Sequence, residues 1–371
     1  MNLLAANLVT GLLPTILVLG ILILIHEFGH FVACRLTGVK VEKFSIGFGP
    51  EIFHFQGKET RYVVSLLPFG GFVKPAGEAA SVIGAEGPRP GDYLGAPILK
   101  RIFIVVAGVG MNYLLSFVLF AAIFLMGRPV PLAQIGGFVS GYPAETSGLR
   151  KGDRILAVNG AQVDSWEGLT GRLGEVTESE VDLDIRRREE ALRLRVPVKM
   201  EPVQDVFGKT HRLPRMGILP DPEAFRVEKL GPRAAIKEAF LTEFHLTGMT
   251  YKAIFFLATG QLSLKTVSGP IGIMTMTGTA AKMGLVYVLH LMAVLGISLA
   301  VINLMPIPAL DGGHLIFLLI EAVFRRSVSP EIQERATQVG FALLMVLMVF
   351  VLYNDLANLQ IFGRLKAVFA H

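Results

Sequence analysis

Two histidines four residues apart, with a glutamate beside the first, close an uncharged apolar run: His26-Glu27-Phe28-Gly29-His30. On a helix, positions i and i+4 share a face. The two imidazoles could then bind one Zn2+, with Glu27 placed to take a proton from a water held there. A catalytic zinc usually has three protein ligands and an open position. Glu51 is one candidate for the third, but it stands in a Gly/Pro/Phe-rich loop (Gly47-Phe48-Gly49-Pro50-Glu51) and not on a second helix. Asp311 is the better one. It ends another apolar stretch, Asn303-Leu304-Met305-Pro306-Ile307-Pro308-Ala309-Leu310-Asp311-Gly312-Gly313-His314, where two prolines break the helix and two glycines allow a tight turn. Broken helix at membrane depth is tolerated where it lines protein or a watery cavity, and a carboxylate there calls for a cation.

The elements that must carry these residues are read from where charge is missing. Of 371 residues, 52% are apolar and 18% charged, against about 25% charged in a soluble domain. This excludes a disordered chain and argues against an all-soluble enzyme. The one cysteine, Cys34, excludes an intrachain disulfide, and a net charge of +5 suits anionic lipid at least as well as nucleic acid, which is not expected as a partner. Met1–Ile25, Ile102–Gly127, Met283–Leu310 and Ala336–Asn354 lack Asp, Glu, Lys and Arg. Each approaches the roughly 20 residues that cross a bilayer as a helix. No Lys or Arg precedes the first run, so it reads as a span, not a signal peptide. Arg35, Lys40, Lys43, Lys100 and Arg101 flank the first two spans and put the loop from 38 to 101 on the cytoplasmic side. The termini and the stretch from 128 to 282 then lie opposite.

That stretch changes character. Residues 128–200 alternate short apolar runs with turn signals, including Asn159-Gly160, and predict a compact, mostly β domain. Residues 201–232 read as irregular linker, Arg233–Leu257 as an amphipathic helix that could lie on the membrane, and Thr266–Ala281 as a loop or re-entrant segment. The expected division is 1–127, 128–200, 201–282 and 283–371.

Within the insert, Ser140-Gly141-Tyr142-Pro143-Ala144, Ser147-Gly148-Leu149 and Lys151-Gly152-Asp153-Arg154-Ile155-Leu156-Ala157-Val158-Asn159-Gly160 resemble a PDZ domain of the bacterial protease type. The resemblance implies a groove for an extended or C-terminal peptide, near Gly141, Tyr142, Pro143 and Ala144. His26-Glu27-x-x-His30 together with N-x-x-P-x-P-x-L-D-G from Asn303 to Gly312 resembles the site-2 protease family of intramembrane zinc metalloproteases. With the PDZ-like insert, the chain is similar to the regulator-of-sigma-E protease branch. Ser65–Lys74 is similar to that family's membrane-associated β-rich loop, Ala107–Asn112 to its second-span motif, and Ser268–Gly272 to a further segment. Val109 stands where proline is common, and one PDZ copy is found where the best-known relatives carry two.

The resemblance implies a polytopic α-helical protein of about four spans in a bacterial inner membrane, its termini and insert periplasmic or extracellular. It implies one Zn2+ per chain on His26, His30 and Asp311, Glu27 as the base, and Asn303, Gly70 and Gly71 as substrate contacts. The substrates implied are single-pass membrane proteins, such as anti-sigma factors or signal-peptide remnants. A PDZ membrane scaffold without protease activity and a metal-ion carrier are the alternatives. Cys34 and Trp166 read as packing residues. Asn112 either hydrogen-bonds across helices or lines the site, and His54, His290 and His314 carry no assigned role.

Overall fold

The computed structural model describes residues 3–78, 87–204 and 210–358. Residues 1–2 and 359–371, assigned above to the terminal membrane regions, and 205–209 of the expected linker lie outside the described residues. The chain forms two compact units. One takes the residues up to Ile123, Ile236–Ile254 and those from Ser263 on; the other takes Phe124–Ala235 and Phe255–Leu262.

In the first unit α1 (Leu3–Thr37) runs 35 residues, or about 50 Å. It stops where Gly38 turns left-handed (φ 80°) and Val39 N–H reaches back to the Cys34 carbonyl. β1 (Val41–Gln56) and β2 (Arg61–Pro75) follow as antiparallel partners. Both bend, β1 at Gly47 and Gly49 (φ 89° each) and β2 near Gly70 (φ 119°). Residues 43–46 therefore lie between 71–74 on one side and 61–64 on the other, with 53–56 beyond. The two bent strands thus make one sheet four segments wide, with 71–75 as one edge. Its far end leaves Ile52, Phe53, Phe55 and Leu66 exposed.

α2 (Ile98–Met126) returns along α1. Ala33 and Cys34 pack there against Ile104, and Val18 and Leu22 pack nearby with Met292 of α6 (Leu285–Asn303). Prolines 306 and 308 end α6; the chain turns, and α7 (Asp311–Phe324) starts at Asp311 itself. Gly312 and Gly313 lie inside α7, not in a turn as expected. They let its first turn press on the Leu304–Met305 and Ile307–Pro308 backbone, where a side chain would overlap. α8 (Pro330–Asn358) is the least buried of the long helices. Among the described residues, four helices are long and apolar enough to cross a membrane: Gly11–Thr37, Ile98–Met126, Leu285–Asn303 and Pro330–Ala357. Each overlaps one of the four charge-poor stretches, although the first lies some ten residues further along than Met1–Ile25.

Between these lie α4 (Pro232–Ala258), the expected amphipathic helix, and α5 (Pro270–Met283). The second corrects the loop reading of 266–281. Its Gly and Thr content is poor for a helix, but burial of Thr277 and Ala280, close packing of Met274 on Gly11, and an external cap override propensity. The cap is Asp355 of α8, whose carboxylate accepts from the N–H groups of Gly269, Ile271 and Gly272 at 2.9–3.0 Å.

The second unit is β-rich. Its main sheet has the order β6 (Ala161–Gln162), β5 (Arg154–Val158), β7 (Glu180–Arg187), β8 (Glu190–Pro197). Asn159 and Gly160, both at positive φ, turn β5 into β6 as the sequence predicted. α3 (Trp166–Gly174), capped by Ser165, buries Leu169 and Leu173 against Ile155, Leu183 and Ile185. The remaining strands correct the linker reading of 201–232. β9 (Lys199–Gln204) pairs with β10 (Thr210–Arg215), β11 (Ile218–Pro220) with β4 (Ile135–Phe138), and β12 (Phe225–Glu228) with β3 (Arg128–Pro131). The β domain therefore does not end at 200. Such short strands carry little periodic signal; β9, β10 and β11 contain proline, and β11 and β12 exist by pairing with partners far back in the chain.

Candidate metal and catalytic site

α1 puts His26 and His30 on one face, and the start of α7 brings Asp311 to them. His26 Nε2 lies 3.1 Å from His30 Nε2 and 3.1 Å from Asp311 Oδ2; His30 Nε2 lies 3.5 Å from the same oxygen. Among the described residues this is the one cluster of three with metal-ligand potential. Tetrahedral ligands at 2.0–2.1 Å from a zinc ion lie about 3.3 Å apart, so the triangle has the size of three zinc ligands.

The electron pairs point the same way. His30 Nδ1 is 2.8 Å from the Ile104 carbonyl, which can only accept, so the ring proton is there and Nε2 carries a lone pair. Among the described residues, buried Asp311 Oδ2 finds no well-formed hydrogen bond despite the short approaches of both rings. Acceptors facing acceptors in a buried space repel unless a cation lies among them. His30 is held to α2 by contact as well. Gly108 faces the ring so closely that a methyl group would overlap Nε2, and Gly29 meets the Ala107 carbonyl in the same way.

Glu27 faces the sheet. Its Oε2 accepts from the Val73 N–H at 3.1 Å. Val73 is on the edge segment 71–75, so this N–H is one that no neighbouring strand takes. Gly71 leaves room for it: a Cβ there would stand 3.4 Å from Glu27 Cγ and crowd the Ser45 carbonyl. Asn303, the last residue of α6, brings its side-chain nitrogen 3.5 Å from His26 Nε2.

Glu51 is placed elsewhere. It joins Lys43 Nζ at 2.8 Å and an Arg61 guanidinium nitrogen at 2.6 Å on the sheet, and those cations hold its carboxyl below the usual carboxylate range. Gly70 packs under the Phe48 ring. The Ile104 carbonyl and the Val73 N–H were missed because backbone groups carry no residue-type signal. Gly108 lay in a stretch singled out above, but its contact is not legible from spacing. His54 is exposed, and His290 stacks edge-on with Phe120 at 5.6 Å.

In the second unit, α3 and the segment Leu213–Pro220 wall a cleft of about 570 Å3 that also includes Val139, Tyr142 and Trp166. Of the four residues expected to form a groove, Tyr142 lines it. Gly141 is in an exposed turn, Pro143 begins the short helical turn Pro143–Glu145, and Ala144 is buried in the core. The wall is displaced to β11 because that strand, hidden in the supposed linker, supplies it.

The profile of peptidase family M50 matches residues 14–347. Provisionally named zinc metalloproteases of Agrobacterium fabrum and Rhizobium meliloti are 34% and 35% identical to this chain over 370 residues, 96% of it and 98–99% of each relative. One from Campylobacter jejuni is 34% identical over 347 residues, 94% of this chain and 93% of the relative.

Proposed function

This chain belongs to peptidase family M50, the site-2 protease family, and on that premise we propose that it is an intramembrane zinc metalloendopeptidase. It would hydrolyse peptide bonds within or near the spans of single-pass membrane proteins. The convergence of two Nε2 atoms and Asp311 Oδ2 on one buried space carries the reading. His26, His30 and Asp311 would hold one Zn2+ per chain. When bound, zinc supplies a Lewis acid that polarises a carbonyl and acidifies water. Glu27, in reach of that space, takes the proton of the attacking water and returns it to the leaving amine. Asn303 offers an amide N–H where negative charge develops on the substrate oxygen. The edge segment 71–75 is the place for the unwound substrate to add as a strand, with Gly71 keeping the approach open.

The flanking basic residues support a cytoplasmic site with the β domain on the other side of the membrane, and the bacterial sources of the relatives fit an inner-membrane location. The cleft between α3 and β11 has an apolar floor and a strand edge, as a PDZ-type groove for a substrate's C-terminal segment requires. Purified wild type in detergent is expected to hold one zinc and to cut a tagged single-span substrate. Glu27→Gln keeps the zinc and does not cut; His26→Ala and Asp311→Asn bind zinc measurably but more weakly. Full zinc in Asp311→Asn overturns the ligand set. A wild type that neither binds zinc nor cuts overturns the function.

A further inference from the structure

We infer that Asn112 is a positioning residue for His26: its side-chain oxygen takes the Nδ1 proton and thereby turns the Nε2 lone pair toward Asp311. The inference rests on the zinc reading above. Asn112 sits on α2, fully buried at 0% exposure, and its amide lies 3.3 Å from His26 Nδ1. The nearer amide atom is the nitrogen, and buried Oδ1 then has no partner among the described residues. A histidine that binds metal through Nε2 carries its proton on Nδ1, where an amide N–H cannot accept it. The recorded orientation thus sets donor against donor, and 3.3 Å is stretched beyond the usual 2.9–3.0 Å. Oxygen and nitrogen of an amide are told apart by their network, not by shape. Exchanging them gives Nδ1–H···Oδ1 and leaves no idle acceptor.

The register of the helices supports the exchange. α1 and α2 run antiparallel, so stepping from His26 to His30 on α1 means stepping back from Asn112 toward Ile104 on α2. His30 already gives its Nδ1 proton to the Ile104 carbonyl at 2.8 Å. Each imidazole would then be fixed by one acceptor from α2, a backbone oxygen for one ring and a side-chain oxygen for the other.

The test is the zinc dissociation constant of the full chain in detergent, read by competition with a coloured chelator. Asn112→Leu, of similar size but without an acceptor, is expected to weaken zinc by about 10- to 100-fold. Asn112→Asp keeps an oxygen at the site and stays within about threefold of wild type. Ser116→Ala, which removes another fully buried polar group from the same helix, leaves the constant unchanged. In a His26→Ala background, Asn112→Leu costs nothing more, because its effect passes through that ring. Should Asn112→Asp not fold, this cycle decides alone. Wild-type affinity in Asn112→Leu, or an equal loss with and without His26, overturns the inference while the zinc site stands. Absence of zinc from the wild type overturns both.

Discussion

Position 108 accepts nothing larger than hydrogen, because the His30 ring lies where a Cβ would go. Gly108→Ala must push the ring or separate α1 from α2. Zinc affinity is expected to fall at least about tenfold, as for loss of an outer-shell partner, with cleavage falling alongside. Gly110→Ala is the matched control: it is on the same helix, and a Cβ there meets nothing within 4 Å. Chelator dialysis with metal add-back on both variants checks this, and equal affinity in the two would refute it. Gly71→Val acts on the other carboxylate. It crowds Glu27 and the Ser45 carbonyl but touches no zinc ligand, so zinc stays bound while kcat drops, by about 100-fold if the base is displaced by an ångström. The histidine pair and Glu27 were legible because side-chain type and a four-residue spacing encode them. Their partners at Ile104 and Val73 are backbone atoms, which any residue would supply, so only the fold reveals them.

The long helices were legible because a charge-free run of that length has few other fates. α5 was not, since its stabilisation comes from another element. Asp355 satisfies three N–H groups at its start, and Asn354 donates to the Lys265 carbonyl one position earlier on α8. Asp355→Ala leaves those donors buried without an acceptor and is expected to cost about 3 kcal/mol or more. The loss should appear as a lower thermal midpoint and as faster amide exchange confined to 269–276. Unchanged exchange there would mean that packing on α1 suffices. The strands β9 to β12 were illegible for a related reason. The partners of β11 and β12 lie some eighty to a hundred residues away (Arg128 opposite Glu228, for example), and proline in β9, β10 and β11 interrupts the alternation that marks β7 and β8.

At the scale of the molecule, membrane-type helices and a β domain alternate along one chain, and each has its own reporter. Trp166, the single tryptophan, lines the cleft beside β11. A peptide with a free C-terminal carboxylate should therefore shift its fluorescence, and Leu173→Arg should abolish the shift without altering bound zinc. No response to any peptide would leave the cleft a structural feature.

The site also has a history in time. Asn303 stands 277 positions after His26, and Asp311 follows it. At synthesis rates of about 5–20 residues per second, the first histidines wait on the order of 15–60 s before the last ligand leaves the ribosome. During that interval a hydrolytic centre does not exist, although the helix carrying its base has already been made. A nascent chain halted before residue 303 should bind no zinc and cut nothing, whereas one halted past α7 should do both. On the proposed ligand set, the late position of Asp311 keeps the newborn protein harmless to its neighbours until its own folding is nearly done.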